Sequence, residues 1–218
     1  MSADGVASRA VVLFDFDGVL VRGDSSAQFL QARLRGSPWR CALALLAAPI
    51  ALPLVLTHRG LPLGARIFGK IARLGTSDAD YIAQVDAFAQ RIARDPAHII
   101  HAGMTALRQA QASGARVAVV SGSHESLIRC VLDAQGIAGV EIVASRLRPR
   151  RHCIGARKLE ALAQIGIVPP WDVAYTDSIM DLPMLRHARR AVLVNAPSRV
   201  FGEVALRLGR EPETVQWS

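Results

Sequence analysis

Val11-Val12-Leu13-Phe14-Asp15-Phe16-Asp17-Gly18-Val19 is the stretch on which the fold turns. Four apolar residues, β-branched or bulky, run unbroken into Asp15, which reads as a short buried strand ending in a polar turn. Four further apolar runs end the same way. Arg116 to Val120 ends at Ser121-Gly122-Ser123, and Val140 to Ala144 ends at Ser145-Arg146. Val173 to Tyr175 ends at Thr176-Asp177, and Ala191 to Val194 ends at Asn195-Ala196-Pro197. Between these runs lie helical patterns: Met104, Leu107 and Ala110 before Gly114; Leu127, Ile128, Val131 and Leu132 before Gly136; Leu159, Leu162 and Ile165 before Gly166. Strand and helix alternating at this spacing predict an α/β fold with a Rossmann-like parallel sheet and helices on both faces. Ligands in such sheets sit beyond the carboxyl ends of the strands. Those ends carry Asp15, Asp17, Ser121, Ser123, Asp177 and Asp181.

The alternation is broken from about residue 22 to 100, where the sequence is mostly helical. This segment is expected to be a helical lobe inserted after the first strand, leaving 1–21 and 101–218 as the α/β core. Composition bounds the rest. Of 218 residues, 51% are hydrophobic and 20% charged, which excludes intrinsic disorder. Three cysteines without a CxxC pair argue against a disulfide framework or zinc knuckle and fit a reducing cytosol. Met1 to Ala10 is polar and Val11 to Phe14 is too short for a signal-peptide core, so a cytoplasmic location is expected. The formal charge of +8 suits anionic partners, while 5% aromatics weaken a single-stranded nucleic-acid reading, and no nucleic-acid partner is expected.

Two acids two residues apart at a strand end, Asp15 and Asp17, are costly unless a cation lies between them. Mg²⁺ fits, since it takes a few carboxylates together with waters and phosphate oxygens. The second acidic pair, Asp177 and Asp181, falls on one face if a helix starts there. Ser121 adds a strand-end hydroxyl and Lys158 a cation near a helix start.

This ordered set resembles the haloacid dehalogenase superfamily in its phosphatase branch: Asp15 to Val19, Ser121, Lys158, then Asp177 to Asp181. The resemblance implies Asp15 as nucleophile, forming an aspartyl-phosphate, and Asp17 as general acid and then base. It implies Mg²⁺ held by Asp15, the carbonyl of Asp17 and Asp177, with Asp181 orienting a neighbouring ligand. Ser121 and the amides of Gly18 and Gly122 would bind phosphoryl oxygens, and Lys158 would balance their charge. Dehalogenases lack an acid at the position of Asp17, so its presence favours phosphoryl transfer. Two departures stand out: Thr176 where many relatives have glycine, and a basic loop at Arg148 to Arg151.

An insertion between the first and second motifs is similar to the C1-type helical cap of the phosphoserine phosphatase group. Asp24 lies nine residues after Asp15; it stands where those enzymes read the substrate's amino group, or it caps a helix. Cys41 to Thr57 holds no charge. A spanning helix needs ~20 apolar residues, and Pro49 and Pro53 are expected to interrupt this one. It is either a buried helical hairpin or an interfacial element flanked by Arg33, Arg35, Arg40, Arg59 and Arg66 and touching an anionic membrane. The apolar, Arg-flanked insertion resembles the phosphatidylglycerophosphate phosphatase C group. The implied substrates are therefore a phosphoserine-like small phosphomonoester or a lipid phosphate, the latter placing the protein at the periphery of the inner membrane. The alternatives are a non-catalytic binder of a phosphorylated ligand or membrane, and a phosphotransferase sharing the same intermediate. Gly64 to Lys70 matches most of a phosphate-binding loop, but no strand precedes it and Ile71 replaces the hydroxyl such a loop needs. His98 and His101 could bind metal but have no further ligands nearby in sequence.

Overall fold

The computed structural model describes residues 9–57, 60–146 and 153–218. Arg59 and the basic loop Arg148 to Arg151 lie outside the described residues. Contacts divide the chain into two compact units, Asp24–Phe88 and the remainder, Met1–Gly23 with Ala89–Ser218.

The larger unit is built on β1 (Val11–Phe14), β2 (Arg116–His124), β3 (Glu141–Ser145), β4 (Trp171–Thr176), β5 (Ala188–Val194) and β6 (Glu213–Val215). These strands form one sheet in the order β3-β2-β1-β4-β5-β6, and every pairing is parallel. The expected fold class is borne out. The chain steps outward from β1 through β2 and β3, then returns to lay β4 on the other side of β1. The carboxyl ends of β1 and β4 therefore face a topological switch point, where the crossovers leave a crevice. Strands buried on both faces read as continuous apolar runs, and Leu13, Phe14, Ala118, Val119 and Val120 are all fully buried.

The helices of this unit include α5 (His101–Ala112), α6 (Glu125–Ala134), α7 (Arg157–Gln164), α8 (Leu182–Arg186) and α9 (Ser198–Leu208). Residues 89–100, assigned to the insertion from sequence, belong with the sheet-bearing unit. Val21 bridges Ile99, the Ile100 amide donates to the Leu20 carbonyl at 3.0 Å, and Ile92, Ile99 and Ile100 are buried.

The smaller unit comprises α1 (Ser25–Arg35), α2 (Pro38–Val55), α3 (Leu61–Arg73) and the first part of α4 (Asp78–Arg94). Asp24 caps α1, its carboxylate accepting from the Ala27 amide at 2.9 Å. Two expectations are corrected here. Pro49 and Pro53 do not interrupt the apolar stretch, because both lie inside the single helix α2. Nor is that stretch a buried hairpin, since Leu45, Leu46, Ile50 and Leu52 are exposed. Gly64 to Lys70 lie within α3, so no phosphate-cradling loop exists there.

Candidate active site

Asp15 follows the last residue of β1. Its amide donates to the Tyr175 carbonyl at 2.8 Å, extending the β1–β4 ladder to the sheet's edge. The neighbouring rings of Phe14 and Tyr175 stack at 4.7 Å beneath it. Asp15 is only 7% exposed; one carboxylate oxygen accepts from the Phe16 amide at 2.8 Å and lies 3.2 Å from the Lys158 ammonium. Lys158, at the start of α7 and 3% exposed, donates to Asp181 at 2.7 Å. Asp181 is 2% exposed, and the same oxygen accepts from the Thr176 hydroxyl at 2.8 Å. Lys158 thus bridges two buried carboxylates drawn from β1 and from the turn after β4.

That turn does not meet the condition under which Asp177 and Asp181 would share a helix face. The Ser178 side chain accepts from the Met180 amide, a 3₁₀ turn covers Ile179–Asp181, and Pro183 opens α8. The two acids consequently serve different neighbours. Asp181 turns inward to Lys158, whereas Asp177 packs on Gly18. A Cβ on Gly18 would lie 2.0 Å from the Asp177 carboxylate, and the backbone there has φ +70°. Only glycine permits both the conformation and the approach.

Asp17 accepts a hydrogen bond from the Ser123 hydroxyl. Ser121, at 1% exposure, accepts from the Ser123 amide at 3.0 Å. Between Ser121 and His124 the β2–β3 register shifts, the kind of irregularity that re-aims side chains at a sheet's rim. Gly122 lies against Ile154. A cavity of about 270 Å³ opens beside Gly18 and Asp177 and is also lined by Arg22, Ile100, Asn195 and Pro197.

Electrostatics mark the site as under tension. Burial pushes the Asp15 carboxyl well above its usual range; Lys158 opposes this, while Asp181 and Asp17 add to it. Burial, then the charges of Asp181 and Asp17, raise Asp177 to about 6. Lys158 is raised, because the attraction of Asp15 and Asp181 outweighs its burial. One ammonium thus stands among four carboxylates.

Sequence reasoning placed Asp15, Asp17, Ser121, Ser123, Asp177 and Asp181 at the strand ends and Lys158 near a helix start, and all of them lie in the larger unit. It did not single out Ser123, Arg22 or Asn195 for a role. Ser123 was legible as a second strand-end hydroxyl; Asn195 had only its place at the end of a run. Asp24 lies in the other unit, as a helix cap. His98 is bonded to Asp95 at 3.0 Å.

Residues 12–186 match the family described as haloacid dehalogenase-like hydrolase. The chain belongs to that family. Solved structures share the fold across nearly the whole chain. A protein of unknown function from Bordetella pertussis Tohama I is 20% identical with a TM-score of 0.67, covering 95% of this chain and 99% of that one. A phosphoserine phosphohydrolase-like protein from Francisella tularensis subsp. tularensis SCHU S4 is 15% identical, with a TM-score of 0.61 and 94% of each chain covered. A substrate-bound phosphoserine phosphatase is 15% identical with a TM-score of 0.60, covering 95% and 93%. At these identities the likeness is one of fold. No curated protein sequence matches the chain.

Proposed function

We propose that this hydrolase is a Mg²⁺-dependent phosphomonoesterase working through an aspartyl-phosphate on Asp15. The observation that carries the reading is the buried Asp15–Lys158–Asp181 bridge at the switch point, with Asp177 seated on Gly18 beside it.

The residues fit a magnesium ion. Carboxylate and carbonyl oxygens are the hard donors it prefers. Burial and mutual repulsion raise both Asp15 and Asp177, as expected where a divalent charge is wanting. Among the described residues no three acidic, histidine or cysteine side chains close on one point. A site using two carboxylates, the Asp17 carbonyl, water and the substrate's own phosphate does not require three. When bound, Mg²⁺ would shield the phosphate's negative charge from the attacking carboxylate.

The chain's own groups then divide the work. Asp15 attacks phosphorus as the bond to the leaving oxygen breaks, and Asp17 gives that oxygen its proton. Asp17 next takes a proton from the water that attacks the phosphoaspartate, which releases phosphate and frees Asp15. Ser123 holds the Asp17 carboxylate in one rotamer through both steps. Lys158, fixed by Asp181, offsets charge on Asp15 and on the transferring group without reorganising. A pure anion-binding protein would gain nothing from four carboxylates at this rim.

The test is hydrolysis of an aryl phosphate with and without Mg²⁺. Asp15→Asn should abolish turnover with the circular-dichroism melt retained, and Asp17→Asn should lower kcat by about 10²–10⁴-fold. Near-wild-type turnover in Asp15→Asn would refute the nucleophile. A panel of phosphoserine, other soluble phosphomonoesters and a lipid phosphate then sorts the substrate class, including the role of Asp24.

A further inference from the structure

α2 presents an apolar surface that nothing in its unit covers. Leu46, Ile50 and Leu56 are 78%, 70% and 86% exposed, and Trp39, Leu45 and Leu52 are also exposed. The residues turned inward are the small Ala44 and Ala51. No Asp, Glu, Lys or Arg stands between Cys41 and Thr57. A helix that is apolar on every side is normally enclosed, and an exposed apolar patch of this extent marks an interaction surface.

Charge supplies an independent observation. Between Ser25 and Ser77 fall seven of the chain's 26 Lys and Arg and none of its 18 Asp and Glu. Almost all of the molecule's +8 therefore sits in the segment that carries α2. Two of these cations converge: Arg33 and Arg40 donate to the same Thr76 hydroxyl at 2.7 and 2.9 Å. Burial, and then the neighbouring Arg40, hold the Arg33 guanidinium below its usual range. Arg40 also lies over the Trp39 ring, 4.8 Å from its centre.

We infer that α2 lies flat in the surface of an anionic lipid bilayer, with its exposed side among the upper acyl segments and the surrounding arginines on lipid phosphates. Three features choose lipid over protein. From Leu45 to Leu56 the sequence offers no side-chain donor or acceptor, whereas protein interfaces supply about one hydrogen bond per 100–200 Å². A second copy of the chain would set the same acid-free segment against itself. The prolines fix the depth: Pro49 and Pro53 remove the amides that would meet the carbonyls of Leu45 and Pro49. Such carbonyls are met by water and headgroups at an interface but not in hydrocarbon. No single helix among the described residues is long and apolar enough to cross a membrane.

The docking does not depend on the hydrolase reading. Full-length protein should co-sediment with phosphatidylcholine vesicles containing phosphatidylglycerol, more weakly with phosphatidylcholine alone, and less as salt rises from about 0.1 to about 0.5 M. Leu46→Glu with Ile50→Glu should weaken binding about ten-fold or more, with an unchanged melt, because both side chains are already in solvent. Trp39 fluorescence should shift to the blue on vesicles in the wild type and not in the double variant. Asp15→Asn should bind vesicles as the wild type does, so failure of the catalytic assignment and failure of docking are read separately. Unchanged binding by the double variant, equal binding to neutral vesicles, or a wild-type dimer in light scattering that the double variant dissolves would each overturn the inference.

Discussion

Thr176 shows what one hydroxyl does at this rim. It is fully buried. It donates to Asp181 and accepts from the Ser178 amide at 3.1 Å, so it sets both the carboxylate that steers Lys158 and the turn that carries Asp177. Thr176→Val preserves shape but leaves that amide and carboxylate short of a partner, a loss of about 1–3 kcal/mol. Urea unfolding should report it, kcat should fall more than KM rises, and Thr176→Ser should restore both; a Val variant equal to wild type would exclude the role. Gly18→Ala tests the opposite case, where any side chain is too much. Its Cβ would collide with Asp177, so the Mg²⁺ concentration for half-maximal activity should rise sharply while the melt changes by only a few degrees. Asp177 itself gives a pH signature. Its folded pKa of about 6 lies above the ordinary carboxylate value, so the folded state holds the proton more tightly than the unfolded chain. The resulting stabilisation is complete below about pH 4, is lost as pH rises through about 6, and amounts to ~3 kcal/mol at most. In chelator, wild-type stability should decline over that window and Asp177→Asn should decline less; parallel profiles would count against the burial of this charge.

Strands were legible wherever burial on both faces forced an unbroken apolar run. β1, β4 and β5 stand close to where Val11 to Phe14, Val173 to Tyr175 and Ala191 to Val194 place them, and the site followed because ligands gather at strand ends. β6 was invisible because Glu213-Thr214-Val215 has no pattern of its own. It is a strand by pairing with β5, aided by the ion pair of Arg190 and Glu213 at 2.7 Å. The Asp177 turn was not legible, because i, i+4 spacing says nothing of Ser178 capping a tighter turn. Which way α2 faces was left between two readings, because composition shows that a segment is apolar, not where its surface points. Its prolines are tolerated since their φ suits a helix and both lie on the exposed side, where hydration replaces the missing bonds. That tolerance still has a cost. Pro49→Ala with Pro53→Ala should raise the melting midpoint, with a stability gain per proline below the ~3 kcal/mol that an interior proline forfeits in an isolated helix. A lower midpoint would mean that the rings make contacts worth more than the bonds they prevent.

The end of the chain reaches the centre of the sheet through a short series of contacts. Trp217 packs on Tyr175 at 5.3 Å, and Tyr175 stacks on Phe14, so the last residues lie against the two strands that end in Asp15 and Asp177. The same segment holds Asn195, the one described non-glycine residue with a left-handed backbone, at φ 51°. Its side-chain amide donates to the Trp217 carbonyl at 2.9 Å and its side-chain oxygen accepts from the Trp217 amide at 2.7 Å. Its backbone amide donates to the Val215 carbonyl at 2.9 Å. Such a conformation costs about 1–2 kcal/mol for a residue with a Cβ, and it persists because these three bonds over-determine it. Asn195 also lines the cavity beside Asp177, so the tail is coupled to the shape of the site. Deleting residues 213–218 should lower the melting midpoint and raise KM for an aryl phosphate, even though no deleted residue lines the cavity. In the full chain, Asn195→Gly should keep the backbone and most activity, whereas Asn195→Val should reproduce the KM defect of the deletion. Wild-type KM in the truncated chain would show that β4 and β1 hold the rim unaided and that the left-handed turn at Asn195 serves only the sheet's edge.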